Sequence, residues 1–264
     1  MRLLFIGDIM GEAGRKMVQT YLPILKEKHS IDMVCANGEN MAGGFGFNER
    51  CYLEMCQAGV DVMTGGNHSF DKKEGYAIIE EEEYLLRPDN YPDKLPGKGH
   101  TLYTTPAGIK VAVFNLMGRI FMDPLDCPFQ RFDKLYEQYK DKANIVIVDF
   151  HAEATSEKVA FGWFTEGRAS LVVGTHTHVQ TADERIFPGG TAFICDLGMT
   201  GPYDSVIGVK KEPVIEKFVL KRGKRFEPAS GDPWLCGVLV DIDEKTGKAL
   251  KIERIRLEAS KNAV

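Results

Sequence analysis

The sequence has no pair of cysteines at Cys-x-x-Cys spacing, although it contains six cysteines among 264 residues. That spacing is the usual signature of a zinc site or a redox motif, so we expect free and mostly buried thiols. The sequence also has no apolar run approaching the roughly 20 residues that a membrane helix needs. We therefore expect a soluble, cytoplasmic protein with no membrane partner, in which residues 1–7 form a strand and not a signal peptide.

Basic residues are not in excess either. Lys and Arg total 33 against 38 Asp and Glu, which gives a formal net charge of -5. A general nucleic-acid-binding surface needs a basic face, so we expect no stable complex with nucleic acid. A small phosphorylated substrate such as a nucleotide is still compatible with this charge, because a local metal cluster overrides the overall balance.

The first third of the sequence alternates short apolar runs with amphipathic helical patterns, which is typical of parallel strands joined by helical crossovers. Helices are predicted at 16–28, 48–58, 73–84, 132–139 and 157–164. A hairpin is expected around Pro106-Ala107-Gly108, and the last third is predicted to be mainly strands, at 191–195, 214–220, 235–241 and 249–256. Candidate site residues occur in both halves of the chain, so we predict one α/β domain spanning 1–264.

Five of the apolar runs end on residues that can bind a metal ion. These residues are Asp8, the segment Asn37-Gly38-Glu39-Asn40, the pair Asn67-His68, then His151, and finally His176-Thr177-His178. Each has an ordinary structural explanation when taken alone, such as a helix N-cap for Asp8 or a turn for the glycine-containing segment. Ligands of open α/β sheets bind just beyond the carboxyl ends of the strands. Five such endings together predict one polynuclear metal centre.

The residue types in this set favour phosphate chemistry. Two divalent cations offset by Asp8 and Glu39 would leave a charge of about +2, which suits an anionic phosphoester and a hydroxide. Glu39 is the natural carboxylate to bridge the two ions. His176 and His178 would serve different ions, because alternate residues of an extended segment point to opposite sides. His68 would lie beside the metals and could protonate the leaving-group oxygen.

The order of these motifs resembles the calcineurin-like metallophosphoesterase superfamily. The resemblance is carried by Gly7-Asp8, Gly66-Asn67-His68, the single His151 and His176-Thr177-His178. With the further segments Gly38-Glu39-Asn40, 149–153 and 174–180, nearly the whole chain resembles the bacterial YmdB-like subgroup. The resemblance implies two facing β-sheets flanked by helices, with a dinuclear metal site at the carboxyl ends of the strands. It also implies a phosphodiesterase acting on small nucleotides, with 2',3'-cyclic nucleotides as the substrate class.

The resemblance further implies a role for each site residue. Asp8, Glu39, Asn40 and His178 would hold one ion, and Glu39, Asn67, His151 and His176 would hold the second. His68 would be the general acid while a metal-bound hydroxide attacks phosphorus. The sequence departs from the superfamily in having Met10 where the first motif usually has histidine, and Gly38-Glu39-Asn40 where Gly-Asp-x-x-Asp is usual. With Asn40 replacing an imidazole, the first ion's ligands are richer in oxygen, which favours iron or manganese over zinc.

Other interpretations of the same residues stay open at this point. A binuclear amidase or peptidase would also use bridging carboxylates and imidazoles. A regulatory protein could keep the metal site to bind a nucleotide or a partner, with hydrolysis incidental. The glycine-rich segment 41–46 lacks the Gly-Lys-Ser/Thr ending of a P-loop and is expected to be a mobile loop near the substrate. The sequence is compatible with a homo-oligomer. Arg119, Asp149, Glu153 and Asp196 are candidates to orient ligands or substrate, or have ordinary structural roles.

Overall fold

Two β-sheets face each other, and helices cover their outer surfaces. The computed structural model describes residues 1–223 and 225–259, so part of the predicted domain span of 1–264 lies outside the described residues. In chain order the strands are β1 (Arg2–Ile6), β2 (Asp8–Ile9), β3 (Met33–Asn37), β4 (Val62–Thr64), β5 (His100–Thr104), β6 (Lys110–Met117), β7 (Ile145–His151), β8 (Leu171–Thr175), β9 (Arg185–Ile186), β10 (Ala192–Ile194), β11 (Met199–Pro202), β12 (Pro233–Ile242) and β13 (Ala249–Glu258). The helices are α1 (Gly11–His29), α2 (Glu49–Ala58), α3 (Lys73–Glu81), α4 (Pro128–Tyr139), α5 (Thr155–Thr165) and α6 (Lys211–Leu220).

The first sheet has the strand order β2-β11-β12-β1-β3-β4, with β13 paired to β12. Its strands β1, β3 and β4 are parallel neighbours, as the alternating strand-helix pattern predicts. The second sheet has the order β5-β6-β7-β8-β10-β9, in which β6, β7, β8 and β10 are parallel. The predicted hairpin forms the antiparallel pair β5 and β6 at the edge of this sheet.

Strands that are buried on both faces explain the continuous apolar runs in the sequence. In β1, Leu3 and Phe5 share a core cluster between the sheets with Ile145 of β7. Leu4, on the opposite face of β1, belongs to the cluster beneath α1 and α2. Val146 of β7 likewise packs into the cluster beneath α4 and α5. The prediction of two facing sheets flanked by helices is confirmed.

The predicted helices near 48–58, 132–139 and 157–164 are present as α2, α4 and α5. Asn48 caps α2 by accepting a hydrogen bond from the backbone N–H of Cys51 at 2.9 Å, and Gly59 ends the helix with a φ of 104°. These are the residue types that a helix start and stop require. α1 begins five residues earlier than predicted, at Gly11, directly after the short strand that contains Asp8.

The prediction of a strand at 214–220 is wrong, because α6 occupies this segment. The run is rich in β-branched and aromatic residues, which favours a strand by propensity alone. Pro213 lies in the first turn of α6, where the missing N–H costs no hydrogen bond. Phe218 and Val219 are each 72% exposed, so the run does not contribute a buried strand to either sheet.

The cysteines are free, and Cys35, Cys51, Cys195 and Cys236 are buried, as predicted. Within residues 1–223 and 225–259, no helix combines the length and the apolar character that crossing a membrane would require.

The carboxyl ends of strands from both sheets converge on one region. Asp8, after β1, lies 3.4 Å from the backbone nitrogen of His176, after β8. His151, at the end of β7, contacts Asn67 from the loop after β4 and Glu39 from the loop after β3. The topology therefore brings residues that are far apart in the sequence to one site at the strand ends.

Candidate metal centre

One group of donors is formed by Asp8, Asn40 and His178, all of which are buried. The Nε2 atom of His178 lies 3.3 Å from Asn40 Oδ1 and 4.0 Å from Asp8 Oδ1. The other ring nitrogen, Nδ1, donates to the carbonyl of Ile207 at 2.8 Å. A proton on Nδ1 leaves the Nε2 lone pair directed at the two oxygens, which is the arrangement of a metal-ligating histidine.

A second group is formed by Asn67, His151 and His176, with Glu39 beside them. His151 Nε2 lies 2.8 Å from Asn67 Oδ1, 3.1 Å from His176 Nδ1 and 3.4 Å from Glu39 Oε1. Potential ligand atoms of Glu39, His151 and His176 all lie within 4.8 Å of one another. This spacing allows the three side chains to share one ion.

His68 joins the second group through its backbone, which contacts the carboxylate of Glu39. The N–H of His68 donates to Glu39 Oε2 at 2.9 Å, which places the His68 residue at the edge of the second group. The N–H of His176 reaches Asp8 Oδ2 at 3.4 Å and joins the second group to the first. The structure therefore places all eight predicted site residues in one contact network, in which His178 is linked to Asp8 at 4.0 Å.

The charges in this network fit cations. Burial raises the pKa of the Asp8 carboxyl well above its ordinary value, and the neighbouring Asp196 and Glu39 carboxylates raise it further. Burial also raises the pKa of Glu39 to about 7. Among the described residues, Asp8 Oδ1 is buried without a hydrogen-bond partner. A positive ion between these carboxylates would supply both the missing partner and the missing charge.

The imidazoles have the complementary property. Burial lowers the pKa of His151 well below its ordinary value, lowers the pKa of His176 to about 4, and lowers the pKa of His178. These rings are therefore neutral at physiological pH, and metal binding requires a neutral imidazole with a free lone pair. The donor set, with raised carboxyl pKa values and neutral imidazoles, fits metal ions.

Gly66 provides the space in which the second group meets. A Cβ atom at this position would lie 2.4 Å from Glu39 Oε2 and 2.4 Å from His151 Nε2. Real Cβ atoms do not approach other heavy atoms this closely, so a larger residue would displace the two candidate ligands. This explains why a glycine precedes Asn67 and His68 in the motif.

Asp149 anchors His151 through a threonine. The hydroxyl of Thr175 donates to Asp149 Oδ1 at 2.7 Å, and its oxygen lies 2.9 Å from His151 Nδ1. Because the single hydroxyl proton is used toward Asp149, the Thr175 oxygen accepts from His151 Nδ1–H. Asn37 and Thr64 also donate to the Asp149 carboxylate. The network leaves His151 Nε2 unprotonated and facing the other donors.

Asp196 holds the turn that carries His176 and His178. Its Oδ2 accepts from the backbone N–H of Thr177 at 3.1 Å and from the Thr177 hydroxyl at 2.7 Å, and it pairs with Lys158 Nζ at 2.6 Å. His176 and His178 both have positive φ values, 98° and 64°, which L-residues adopt at a cost. The buried ion pair thus helps to fix a backbone conformation that the two imidazoles need.

Some supporting residues were identified from the sequence and others were missed. Glu153 Oε2 lies 3.1 Å from His176 Nε2, whereas Asp149 and Asp196 support the site through Thr175 and Thr177. Arg119 instead contacts Cys127 and, through its backbone, Glu157, and neither of these is one of the predicted site residues.

The missed residues are Asp71, Thr175 and Lys158. Asp71 Oδ2 lies 2.6 Å from His68 Nδ1, and its position three residues after His68 is a signal that could have found it. Lys158 is the fourth residue of α5 and is buried, and no local pattern distinguishes it from an exposed lysine on a helix surface.

Comparisons with known proteins identify the family of this chain. A family model described as "YmdB-like protein" matches residues 4–255. A Bacillus subtilis (strain 168) protein named "2',3'-cyclic-nucleotide 2'-phosphodiesterase" is 51% identical over 255 residues, covering 97% of this chain and 96% of that protein.

Two solved structures share the fold closely. A hypothetical protein from Thermus thermophilus is 43% identical with a TM-score of 0.92, covering 98% of this chain and 100% of that chain. A structure described as a novel phosphatase from Mycoplasma pneumoniae is 35% identical, also with a TM-score of 0.92, covering 100% of this chain and 95% of that one. The resemblance noted from the motifs is confirmed, and the chain belongs to the YmdB-like protein family.

Proposed function

We propose that this protein is a metal-dependent phosphodiesterase that hydrolyses small phosphoesters, with 2',3'-cyclic nucleotides as its substrates. Relatives that are named for an activity are phosphodiesterases or phosphatases, so the chain is a phosphoric ester hydrolase. The Bacillus subtilis relative is named for cleavage of the 2' ester of 2',3'-cyclic nucleotides, and 51% identity supports the same substrate class here.

The observation that carries the proposal is the pair of neighbouring donor groups, which are joined where the N–H of His176 reaches Asp8 Oδ2 at 3.4 Å. Asp8, Asn40 and His178 would hold one ion, and Asn67, His151 and His176 the other. Glu39 would contact both ions. When bound, two such cations activate water and neutralise the charge of the phosphoester. The oxygen-rich first group favours iron or manganese. Since donors come from both sheets, we take the chain as one domain.

His68 is positioned to protonate the leaving group. Its Nδ1 is engaged by Asp71 at 2.6 Å, so Nε2 is the nitrogen that can donate a proton. Its backbone N–H is bound to Glu39, which keeps the residue beside the donor groups. In the reaction, an oxygen from water bonds to phosphorus, the water releases a proton to solvent, and the ester P–O bond breaks. The departing oxygen takes the proton from His68 Nε2, so no serine or cysteine nucleophile is needed.

The test compares two histidine variants of the enzyme loaded with Mn²⁺ or Fe²⁺. His68→Ala should lower kcat for 2',3'-cyclic AMP by about 10²- to 10⁴-fold with the metal content unchanged, the usual value of general acid catalysis. His29→Ala is the matched control, because His29 ends α1 outside the contact network and should keep wild-type turnover. Wild-type kcat in His68→Ala would remove the residue from its role.

The wild-type protein also tests the function itself. A panel of phosphodiesters, phosphomonoesters and p-nitroanilides should show turnover of the diesters. Hydrolysis of the anilides alone would favour an amidase. Metal-replete protein that binds the cyclic nucleotide without hydrolysing it would contradict the proposal and favour a regulatory role.

A further inference from the structure

Phe45 belongs to the glycine-rich loop 41–46. Its side chain lies beside His68 and is partly exposed. Its ring centroid is 5.2 Å from that of His68, with an angle of 67° between the planes. The side chain is 39% exposed, although exposing an aromatic ring to water is unfavourable. An exposed aromatic surface next to the proposed proton donor can serve as a contact for the substrate.

The loop that carries Phe45 is tied to the metal site. Asn40 Nδ2 donates to the carbonyl of Gly44 at 3.0 Å, and the N–H of Gly44 donates to the carbonyl of Asn40 at 3.0 Å. Gly43, Gly44 and Gly46 have positive φ values of 74°, 97° and 70°, which glycine adopts without strain. The reciprocal hydrogen bonds therefore place Phe45 relative to Asn40, a proposed ligand.

The chemistry of a 2',3'-cyclic nucleotide relates the base to the leaving oxygen. O2' is bonded to C2', which is adjacent to C1', the carbon that carries the base. O3' is bonded to C3', one carbon farther from the base. If O2' is the oxygen that His68 protonates, the base lies near His68, where the Phe45 ring is exposed. If O3' were in that place, the base would lie farther from Phe45.

Resting on the proposed function, we propose that Phe45 stacks against the nucleobase and selects the 2' ester for cleavage. The stacked base holds O2' at His68. An oxygen from water then bonds to phosphorus as the water releases a proton to solvent, the P–O2' bond breaks, and O2' takes the proton from His68. The product is a nucleoside 3'-monophosphate with a free 2' hydroxyl. Stacking on an aromatic ring is sequence-tolerant, so purine and pyrimidine substrates should both be accepted.

The experiment compares Phe45→Ala and Phe45→Tyr with the wild type on two five-membered cyclic diesters. These are 2',3'-cyclic AMP and glycerol 1,2-cyclic phosphate, which has no base. Loss of stacking in Phe45→Ala should raise KM for the nucleotide about 5- to 150-fold relative to KM for the glycerol ester. Phe45→Tyr should restore the wild-type ratio. Phe218→Ala, an exposed phenylalanine on α6, is the control.

The products provide a second readout. Wild type and Phe45→Tyr should release 3'-AMP, whereas Phe45→Ala should release a mixture of 3'-AMP and 2'-AMP. An unchanged KM ratio with 3'-AMP alone would overturn the proposal. An equal loss on both diesters would also overturn it, because Phe45 would then act by packing against His68 and not through the base. If the metal-loaded wild type hydrolysed neither diester, the proposed function itself would fail.

Discussion

Replacing Glu39 by glutamine separates the cost of burying a carboxylate from its value as a metal ligand. Burial raises the pKa of Glu39 from the ordinary 4.5 to about 7. Between these values the folded protein retains the proton that the unfolded chain has lost. The stability that this proton contributes is fully present below pH 4.5 and is lost as the pH rises through about 7. Without metal, the protein should therefore become less stable over this range.

The size of the effect follows from the width of the window. Each pH unit in which one extra proton is bound changes the free energy of unfolding by about 1.4 kcal/mol. From 4.5 to about 7, the loss amounts to about 3 kcal/mol for the fully buried Glu39. Glutamine has a similar shape and no charge, so metal-free Glu39→Gln should be about 3 kcal/mol more stable than wild type above pH 8. The two proteins should be nearly equal below pH 4.5.

Bound metal should make the wild type more stable than Glu39→Gln. A ligand that binds only the folded state stabilises it by about 4.1 kcal/mol at 1,000 times its dissociation constant, which exceeds the deficit of about 3 kcal/mol. Wild type should gain this stability from Mn²⁺, whereas Glu39→Gln, without the shared carboxylate, should gain much less.

Urea unfolding followed by tryptophan fluorescence, in EDTA and in Mn²⁺ across this pH range, measures both effects. Glu81→Gln, an exposed carboxylate on α3, is the control. A pH-independent difference between wild type and Glu39→Gln, or equal stabilisation of both by Mn²⁺, would refute the reasoning.

Lys158 and Gly66, which help to position the site residues, give two further predictions. Lys158→Met should lower the free energy of unfolding by about 3–5 kcal/mol, because it leaves the buried Asp196 carboxylate unpaired. Urea unfolding measures this loss, and adding Asp196→Asn should recover part of it. Gly66→Ala should abolish metal binding, because its Cβ would lie 2.4 Å from His151 Nε2. Metal analysis after dialysis checks this, with Gly223→Ala, whose Cβ would meet nothing within 4 Å, as the control.

The positions of the site residues at the ends of strands were predictable, because buried strands produce apolar runs that can be recognised in the sequence. The runs ending at Asp8 and His151 consist mainly of apolar residues, with Asp149 the one charged residue before His151, since both faces of their strands are buried. Parallel strands end at the same edge of a sheet, so the residues that follow them gather there. The facing of two sheets was implied by the family resemblance and not by these runs.

Other features depend on tertiary contacts that have no local signal. The segment 214–220 could not be recognised as helical, because a short β-branched run does not distinguish a strand from a helix. Lys158 and Asp196 are 38 positions apart, and only the folded chain brings them within 2.6 Å. The contact between Phe45 and His68 similarly depends on where the glycine-rich loop lies, although the sequence did predict that this loop is near the substrate.

Anomalous diffraction from crystals of the protein loaded with Mn²⁺ tests the central claim most directly. Two peaks are expected, one between Asp8, Asn40 and His178 and the other between Asn67, His151 and His176, with Glu39 contacting both ions. Metal-replete crystals with no peak in this pocket, or with Mn²⁺ bound only elsewhere, would contradict the account.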